Sequence, residues 1–277
     1  MIKLLTSGDI SAVNAYLERN YMETALLSGN LDRCGIENDR MSRRSGDYYG
    51  YFDGGRLQGI LAFFNLGSVF PHFEVPGAVS GFADIMRLRR FEVLAGMKRI
   101  VEPLCQALDQ DKKILAYEES YYLVNYELKP YVLSYPRQIA DVDTVDPALA
   151  LTFIVEAYRQ GFYRRFNREL AAKLIENSSP GEEFVFLMSE DVPKAQAAIQ
   201  VAASRVNQIG GVYTSESSRG QGYCKALVSE LCRRSKVDGK VPVLMVRKEN
   251  IPAVRAYEAI GFTYFGDYLI VKFAVGL

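Results

Sequence analysis

The sequence predicts an α/β (α+β) protein, and three observations carry that expectation. Apolar runs of strand length alternate with segments of helical periodicity along most of the chain. Two turn segments, Asp53-Gly54-Gly55 and Glu190-Asp191-Val192-Pro193, separate such runs as hairpin turns do. The stretch from Gln208 to Phe262 reads as strand, glycine turn, helix, strand, helix and the start of another strand.

That last stretch organises the chain. Gln208 to Thr214 is an apolar run fit for a buried strand, and Ser215-Glu216-Ser217-Ser218 is a polar turn. Arg219-Gly220-Gln221-Gly222-Tyr223-Cys224 then leads directly into a helix, because Cys224, Leu227, Val228 and Leu231 recur at i, i+3, i+4 and i+7. A strand-to-helix junction presents free backbone N–H groups and the positive end of the helix dipole, which suits a phosphate or pyrophosphate. Gly220 and Gly222 let the backbone turn tightly there, and Arg219 adds a positive charge at the mouth. Val241 to Val246 follows as a second buried strand. Asn250 opens a helix with Ala253, Tyr257 and Ile260 on one side, Gly261 closes it, and Phe262 starts the next strand.

These residues resemble the two motifs of the GNAT superfamily of N-acetyltransferases. Arg219-x-x-Gly222-x-Cys224 is similar to its acyl-CoA pyrophosphate loop, Gln/Arg-x-x-Gly-x-Gly/Ala, with Cys224 as a departure at the sixth position. Asn250-x-x-Ala253-x-x-x-Tyr257-x-x-x-Gly261-Phe262 is similar to its second motif. The resemblance implies a GNAT fold in the second half, a mixed and mostly antiparallel sheet flanked by helices. It also implies acetyl-CoA as co-substrate and direct attack by a primary amine in a ternary complex.

Earlier in the chain, residues 9 to 28 show helical spacing, with Asp9 placed to cap the first turn. Tyr48 to Phe52 and Arg56 to Phe64 read as strands, Val79 to Ile85 as a third, Phe91 to Leu108 as an amphipathic helix, and Ile114 to Tyr117 and Tyr121 to Leu128 as two more strands. The second half repeats this order, with helices at Pro147 to Gly161 and Arg168 to Asn177, a hairpin of Phe184 to Met188 with Lys194 to Ala202, and the strand Val206 to Thr214. A tandem of two GNAT-like units is the reading this suggests, with domains at 1–133 and 134–277 and a boundary near Lys129-Pro130 to Pro136. The first unit would be degenerate: after Val79 to Ile85 stands Met86-Arg87-Leu88-Arg89-Arg90, with no Gly-x-Gly. An unrelated α+β domain in the first half fits the same sequence.

Composition narrows the function. The 277 residues carry 33 Lys+Arg against 33 Asp+Glu, and this neutral balance disfavours a nucleic-acid partner. Four Cys without CxxC spacing and one His make a Cys/His metal site improbable. No signal peptide or apolar run of spanning length is legible, so a cytoplasmic protein with reduced thiols and no membrane partner is expected. The expected partner is a small-molecule or peptide amine, with a homodimer left open.

By the resemblance, the backbone edge of Val212, Tyr213 and Thr214 would pair with pantetheine, and the Val212 N–H would polarise the thioester carbonyl. Arg219, Gly220, Gln221, Gly222, Tyr223 and Cys224 would hold the pyrophosphate, and Asn250 would cap its helix and touch pantetheine. Tyr257 would protonate the leaving thiolate, a role a hydroxyl that stays protonated at neutral pH can fill. The base is open: the strand before the loop offers no carboxylate, and Glu156, Glu216 or a water chain are the alternatives. His72, in Phe70-Pro71-His72-Phe73, reads as a turn residue with a surface or packing role, and Cys224 and Cys232 read as core. Tyr158, Phe162, Tyr163 and Phe166 read as packing aromatics that could instead wall an acceptor pocket. Two other functions fit the sequence: a CoA-binding regulatory module, and a tandem GNAT-like transferase that uses aminoacyl-tRNA.

Overall fold

The structure is a computed structural model that describes residues 1–108, 112–133, 138–161, 165–178 and 180–274. In chain order the first elements are β1 (Ile2–Leu4), α1 (Ile10–Arg19), α2 (Ala25–Cys34), β2 (Gly46–Asp53), β3 (Arg56–Phe64), β4 (Ser68–Phe73), α3 (Ala78–Arg87), β5 (Val93–Met97), α4 (Lys98–Leu108) and β6 (Ile114–Val124). Then come β7 (Gln138–Asp141), α5 (Pro147–Glu156), α6 (Arg168–Glu176), β8 (Glu183–Ser189), β9 (Val192–Ala202), β10 (Val206–Thr214), α7 (Tyr223–Val237), β11 (Val241–Arg247), α8 (Ile251–Ala259) and β12 (Thr263–Phe273).

Two compact units are present. The first is Met1–Tyr122 with Phe265–Leu277, and the second is Leu123–Tyr264. A single cut at 133/134 would give β12 to the second half, but its ladder from Tyr268↔Met97 to Lys272↔Val93 joins it to β5 of the first unit. Each unit follows one order: a three-strand meander, a helix, a parallel strand and a further helix. The meanders β2-β3-β4 and β8-β9-β10 are antiparallel, whereas β4 with β5 and β10 with β11 run parallel. The mixed, mostly antiparallel sheet and the tandem order are therefore both seen.

The first unit departs from sequence expectation in several places. Val79 to Ile85 is helical: Ala78, Phe82, Ala83 and Met86 are all fully buried, a spacing that fits one helix face. The strand of that region is β4, which holds Pro71 and His72 and pairs antiparallel with β3. Pro71 lies just beyond the last β4–β5 pair, Val69↔Leu94, so its missing N–H deprives no parallel neighbour. Phe91 to Leu108 splits into β5 and α4, because Ile100, Val101, Leu104, Cys105 and Leu108 alone share the buried helical face. Ile114 to Val124 is one strand, with Glu118 and Glu119 ion-paired to Lys272 and Lys98. Asp9 accepts from the Thr6 N–H at 3.2 Å instead of capping α1.

The second unit follows the sequence closely. α5, α6, Phe153, Phe186, Ala198 and Tyr213 form its apolar cluster on one side of the sheet. Arg234 of α7 reaches Asp141 at 2.5 Å and Glu183 at 3.0 Å, which ties the helix to β7 and β8. At the end of α8, the Gly261 N–H bonds the Glu258 carbonyl and the Phe262 N–H bonds the Tyr257 carbonyl, the double closure of a Schellman end. Gly261 has φ +96°, and a Cβ there would lie 2.1 Å from the Glu127 carbonyl oxygen. Gly261→Ala should therefore destabilise the protein by about 3 kcal/mol, through left-handed strain and overpacking together. Urea unfolding followed by far-UV circular dichroism measures this, and a midpoint equal to wild type would refute the steric reading.

Candidate functional site

The site is built where β10 leaves its parallel neighbour. The β10–β11 ladder runs only from Val206↔Val241 to Ile209↔Leu244. β10 continues to Thr214, paired on its other side with β9 through register shifts at Gln208/Ile209 and Gly210/Tyr213. From Gly210 to Thr214, one backbone edge of β10 thus has no ladder partner among the described residues. The bulge is glycine-built because the Gln200 side chain lies on it: a Cβ on Gly210 would be 2.1 Å from Gln200 Oε1. Val212 and Thr214 are half-buried on this edge, and the Tyr213 side chain points into the core at 5% exposure.

The glycine loop then delivers α7. Gly220 and Gly222 have φ +78° and +81°, and Gly222 is the N-cap with no side chain capping the helix. The first-turn amides of Tyr223 and Cys224 stand at the helix start, where an anion would receive them together with the dipole. A Cβ on Gly222 would meet the Tyr131 hydroxyl at 2.4 Å. At Gly222 the backbone thus leaves no room for a Cβ, whereas Gly220 faces open space. Arg219 is exposed at its rim, with Nε 3.4 Å from the Thr214 carbonyl. Gln221 Oε1 accepts from the Tyr223 hydroxyl at 2.7 Å, fixing the loop from within.

Tyr131 is the residue that sequence reading missed. Its N–H bonds Ser229 Oγ at 3.0 Å, and Lys225 Nζ sits 4.1 Å over its ring. It lies in the Pro-interrupted stretch read as a linker, where only the aromatic ring itself was a signal.

Tyr257 and Cys224 are brought together. Tyr257 is 6% exposed on α8, its ring 5.9 Å from Phe262, and its hydroxyl lies against the Cys224 thiol. Burial first, and then the thiol, raise the tyrosine pKa well above its ordinary value, so the hydroxyl keeps its proton at any working pH. The thiol is itself pushed up to about 11, chiefly by burial. Cys224 is therefore not simply core: it is partly exposed and faces the proposed acid, whereas Cys232 is fully buried. Asn250 acts as a plain N-cap, accepting from the Ala253 N–H at 3.3 Å.

Of the candidate bases, Glu156 closes α5 and its Oε1 accepts from the Tyr213 hydroxyl at 3.0 Å. Glu216 is exposed in the turn before the loop. Tyr158 and Phe166 stack on one another at 4.2 Å inside the apolar cluster, a packing role. Phe162 and Tyr163 lie outside the described residues.

In the first unit the matching junction lies between β4 and α3, at Glu74-Val75-Pro76-Gly77, and not at Met86 to Arg90. Gly77 has φ −58°, so no left-handed turn forms there. The Glu74 carboxylate occupies the junction and is held by Arg19 at 2.7 Å and Asn20 at 2.8 Å. A carboxylate there would repel a pyrophosphate. His72 is buried on β4, with the Tyr16 hydroxyl 2.5 Å from Nδ1 and Glu23 3.2 Å from Nε2, so it is neither a surface nor a turn residue.

Comparisons with known proteins agree with this geometry. Residues 187–270 match the family model of FR47-like protein. No curated protein sequence matches the chain. Among solved structures, an acetyltransferase from the GNAT family of Colwellia psychrerythraea is similar at TM-score 0.57 and 15% identity, covering 99% of this chain and 100% of its own. A GCN5-related N-acetyltransferase from Kribbella flavida is similar at TM-score 0.60 and 17% identity, covering 91% and 94%. A tandem GNAT protein from the clavulanic acid biosynthesis pathway is similar at TM-score 0.57 and 11% identity, covering 100% and 99%. With its motifs, its repeated element order and these likenesses, the chain has a GNAT fold, and its residues 187–270 resemble the FR47-like family.

Proposed function

We propose that the protein is an acyltransferase, an acetyl-CoA-dependent N-acetyltransferase that modifies a primary amine by direct attack in a ternary complex. One observation carries this reading: an uncapped helix start with two left-handed glycines lies beside the unpaired edge of β10. Acetyl-CoA supplies the activated acyl group as a thioester when bound. Gly220 to Cys224 would take the pyrophosphate on backbone amides. The edge from Gly210 to Thr214 would accept pantetheine as an added strand, with a backbone N–H near Val212 polarising the carbonyl. Tyr257 would deliver a proton to the departing sulfur from a hydroxyl that burial keeps protonated. The blocked junction of the first unit favours one acetyl-CoA per chain.

Isothermal titration with acetyl-CoA, followed by thiol release across a panel of primary amines, tests the proposal. A stoichiometry of one is expected. No acetyl-CoA binding would sink it, and two equivalent sites would overturn the reading of the first unit.

Gly222→Ala should weaken acetyl-CoA binding at least tenfold, about 1.4 kcal/mol, because its Cβ meets Tyr131 in a left-handed turn. Gly220→Ala meets nothing within 4 Å and should lose less. Equal affinity of the folded Gly222→Ala protein would remove the loop from the binding site.

Tyr257→Phe keeps the ring and removes the proton donor. Its kcat should fall by roughly 10²–10⁴ with acetyl-CoA affinity little changed. Because the folded-state pKa is raised, the hydroxyl stays protonated through the ordinary value near 10, and its contribution persists up to at least about pH 10. The loss should therefore be constant between about pH 6 and 9. A kcat within a few-fold of wild type across that range would end the acid assignment.

A further inference from the structure

The face of β10 turned away from α7 holds a polar cluster that the glycine loop does not use. Tyr213 follows Val212 in the chain, and its hydroxyl lies 3.0 Å from Glu156 Oε1 and 2.8 Å from Gln160 Oε1. A hydroxyl has one proton to donate, so it cannot satisfy both oxygens. Directly across the ladder from Tyr213 stands Gln196, which is fully buried. Its Nε2 donates to the Gly211 carbonyl at 3.1 Å, and its Oε1 has no hydrogen-bond partner. The half-buried Glu156 and the buried Oε1 of Gln196 thus leave acceptor capacity that Tyr213 alone does not fill, with Gln160 exposed to solvent beside them, and an unsatisfied buried acceptor is costly. What completes such a region is a ligand rich in N–H groups and positively charged.

The surrounding backbone is shaped for this cluster. α5 ends at Glu156, and the next turn, Ala157–Gly161, is π-helical, a wider coil that recurs at functional sites. Gly161 lets the Tyr213 ring approach, since a Cβ there would lie 2.8 Å from it. The Tyr213 hydroxyl is pushed up to about 12 by burial and then by its bond to Glu156, so it remains a donor to the carboxylate at working pH.

We propose that Glu156, oriented by Tyr213 and flanked by Gln160 and Gln196, binds the alkylammonium end of the acceptor and takes its proton. This deepens the acetyltransferase reading and rests on it. The ammonium passes one proton to the Glu156 carboxylate. The freed nitrogen lone pair forms the N–C bond to the thioester carbonyl carbon, the added nitrogen gives up its second proton, the C–S bond breaks, and the leaving thiolate takes a proton from the acid, which the nitrogen's released proton restores through solvent. The products are an amide and CoA. Glu156 is the catalytic residue here, and Tyr213 is a positioning residue.

Glu156→Gln is the discriminating variant, because a glutamine oxygen still accepts from Tyr213 and keeps α5 fastened to β10. The probes are n-propylammonium and 1,4-diaminobutane, titrated into full-length protein with and without saturating CoA. Wild type should bind at least one of them saturably, and Glu156→Gln should bind at least tenfold more weakly, with an unchanged thermal midpoint and an acetyl-CoA affinity within twofold. With the same amines as acceptors, kcat/KM of Glu156→Gln should fall about a hundredfold near pH 7. It should recover as pH approaches the amine's own pKa, where the free amine needs no base. Tyr213→Phe should lower kcat by a smaller factor with the KM for the amine little changed, because the carboxylate remains but loses the donor that orients it. No saturable ammonium binding by wild type, or equal binding by Glu156→Gln, overturns the proposal. An absence of acetyl-CoA binding would instead strike the acetyltransferase reading, and the ammonium titration without CoA would still decide the role of Glu156.

Discussion

Everything at the candidate site depends on where the β10–β11 ladder stops. Had the two strands stayed paired past Ile209 and Leu244, the backbone from Gly210 to Thr214 would be consumed by hydrogen bonds. The bulge prevents that. By inserting one extra residue against β9 between Gly210 and Tyr213, it twists β10 out of the parallel ladder while keeping its other edge anchored. Three things follow from one irregularity. A row of main-chain donors and acceptors is left for a ligand, Tyr213 is turned into the α5 side of the sheet, and the chain arrives at the glycine loop aimed at the start of α7. Strand, loop and helix are thus one device, and Gly210 and Gly222 are where the geometry tolerates nothing larger.

The second unit was legible because its elements obey local rules without conflict. β10 and α7 carry clear periodicities, and the two motifs mark both helix starts. The first unit was less so. Val79 to Ile85 has the apolar density of a strand, and only the burial of Phe82, Ala83 and Met86 on one face makes it a helix. Pro71 argued against a strand at Ser68–Phe73, yet tertiary pairing with β3 overrides that local signal. In the site, loop residues were visible from their spacing. The partnership of Glu156 with Tyr213, and the contact of Tyr131 with Gly222, join residues 57 and 91 positions apart (213 less 156, and 222 less 131), which no periodicity reports. The pairing of Cys224 with Tyr257 was hidden for the same reason, although both residues were singled out.

A likeness between the units shows how one can lose what the other keeps. In both, a polar group on the first helix meets one on the strand before the junction. In the second unit this is Glu156 with Tyr213, open to an added donor. In the first it is Tyr16 with His72, where Glu23 takes the remaining ring nitrogen and Arg99 in turn takes Glu23. Burial lifts the Tyr16 hydroxyl far above its ordinary pKa, so it stays a neutral partner for the ring. Both ring nitrogens of His72 are thus already matched, which makes the chain of contacts a staple between α1, β4 and α4.

The return of β12 to the first unit has a consequence for the order in which the protein is made. Translation delivers Met1 to Tyr122 early, but β5 lacks its β12 neighbour until the last stretch leaves the ribosome. The intervening chain, Leu123 to Tyr264, holds all of its own meander and α7 well before that moment. The second unit is therefore able to complete itself first, while an apolar strand of the first waits with an open edge, the kind of surface on which nascent chains associate. A chaperone that shields β5 until β12 arrives would act on the unit that lacks the glycine loop.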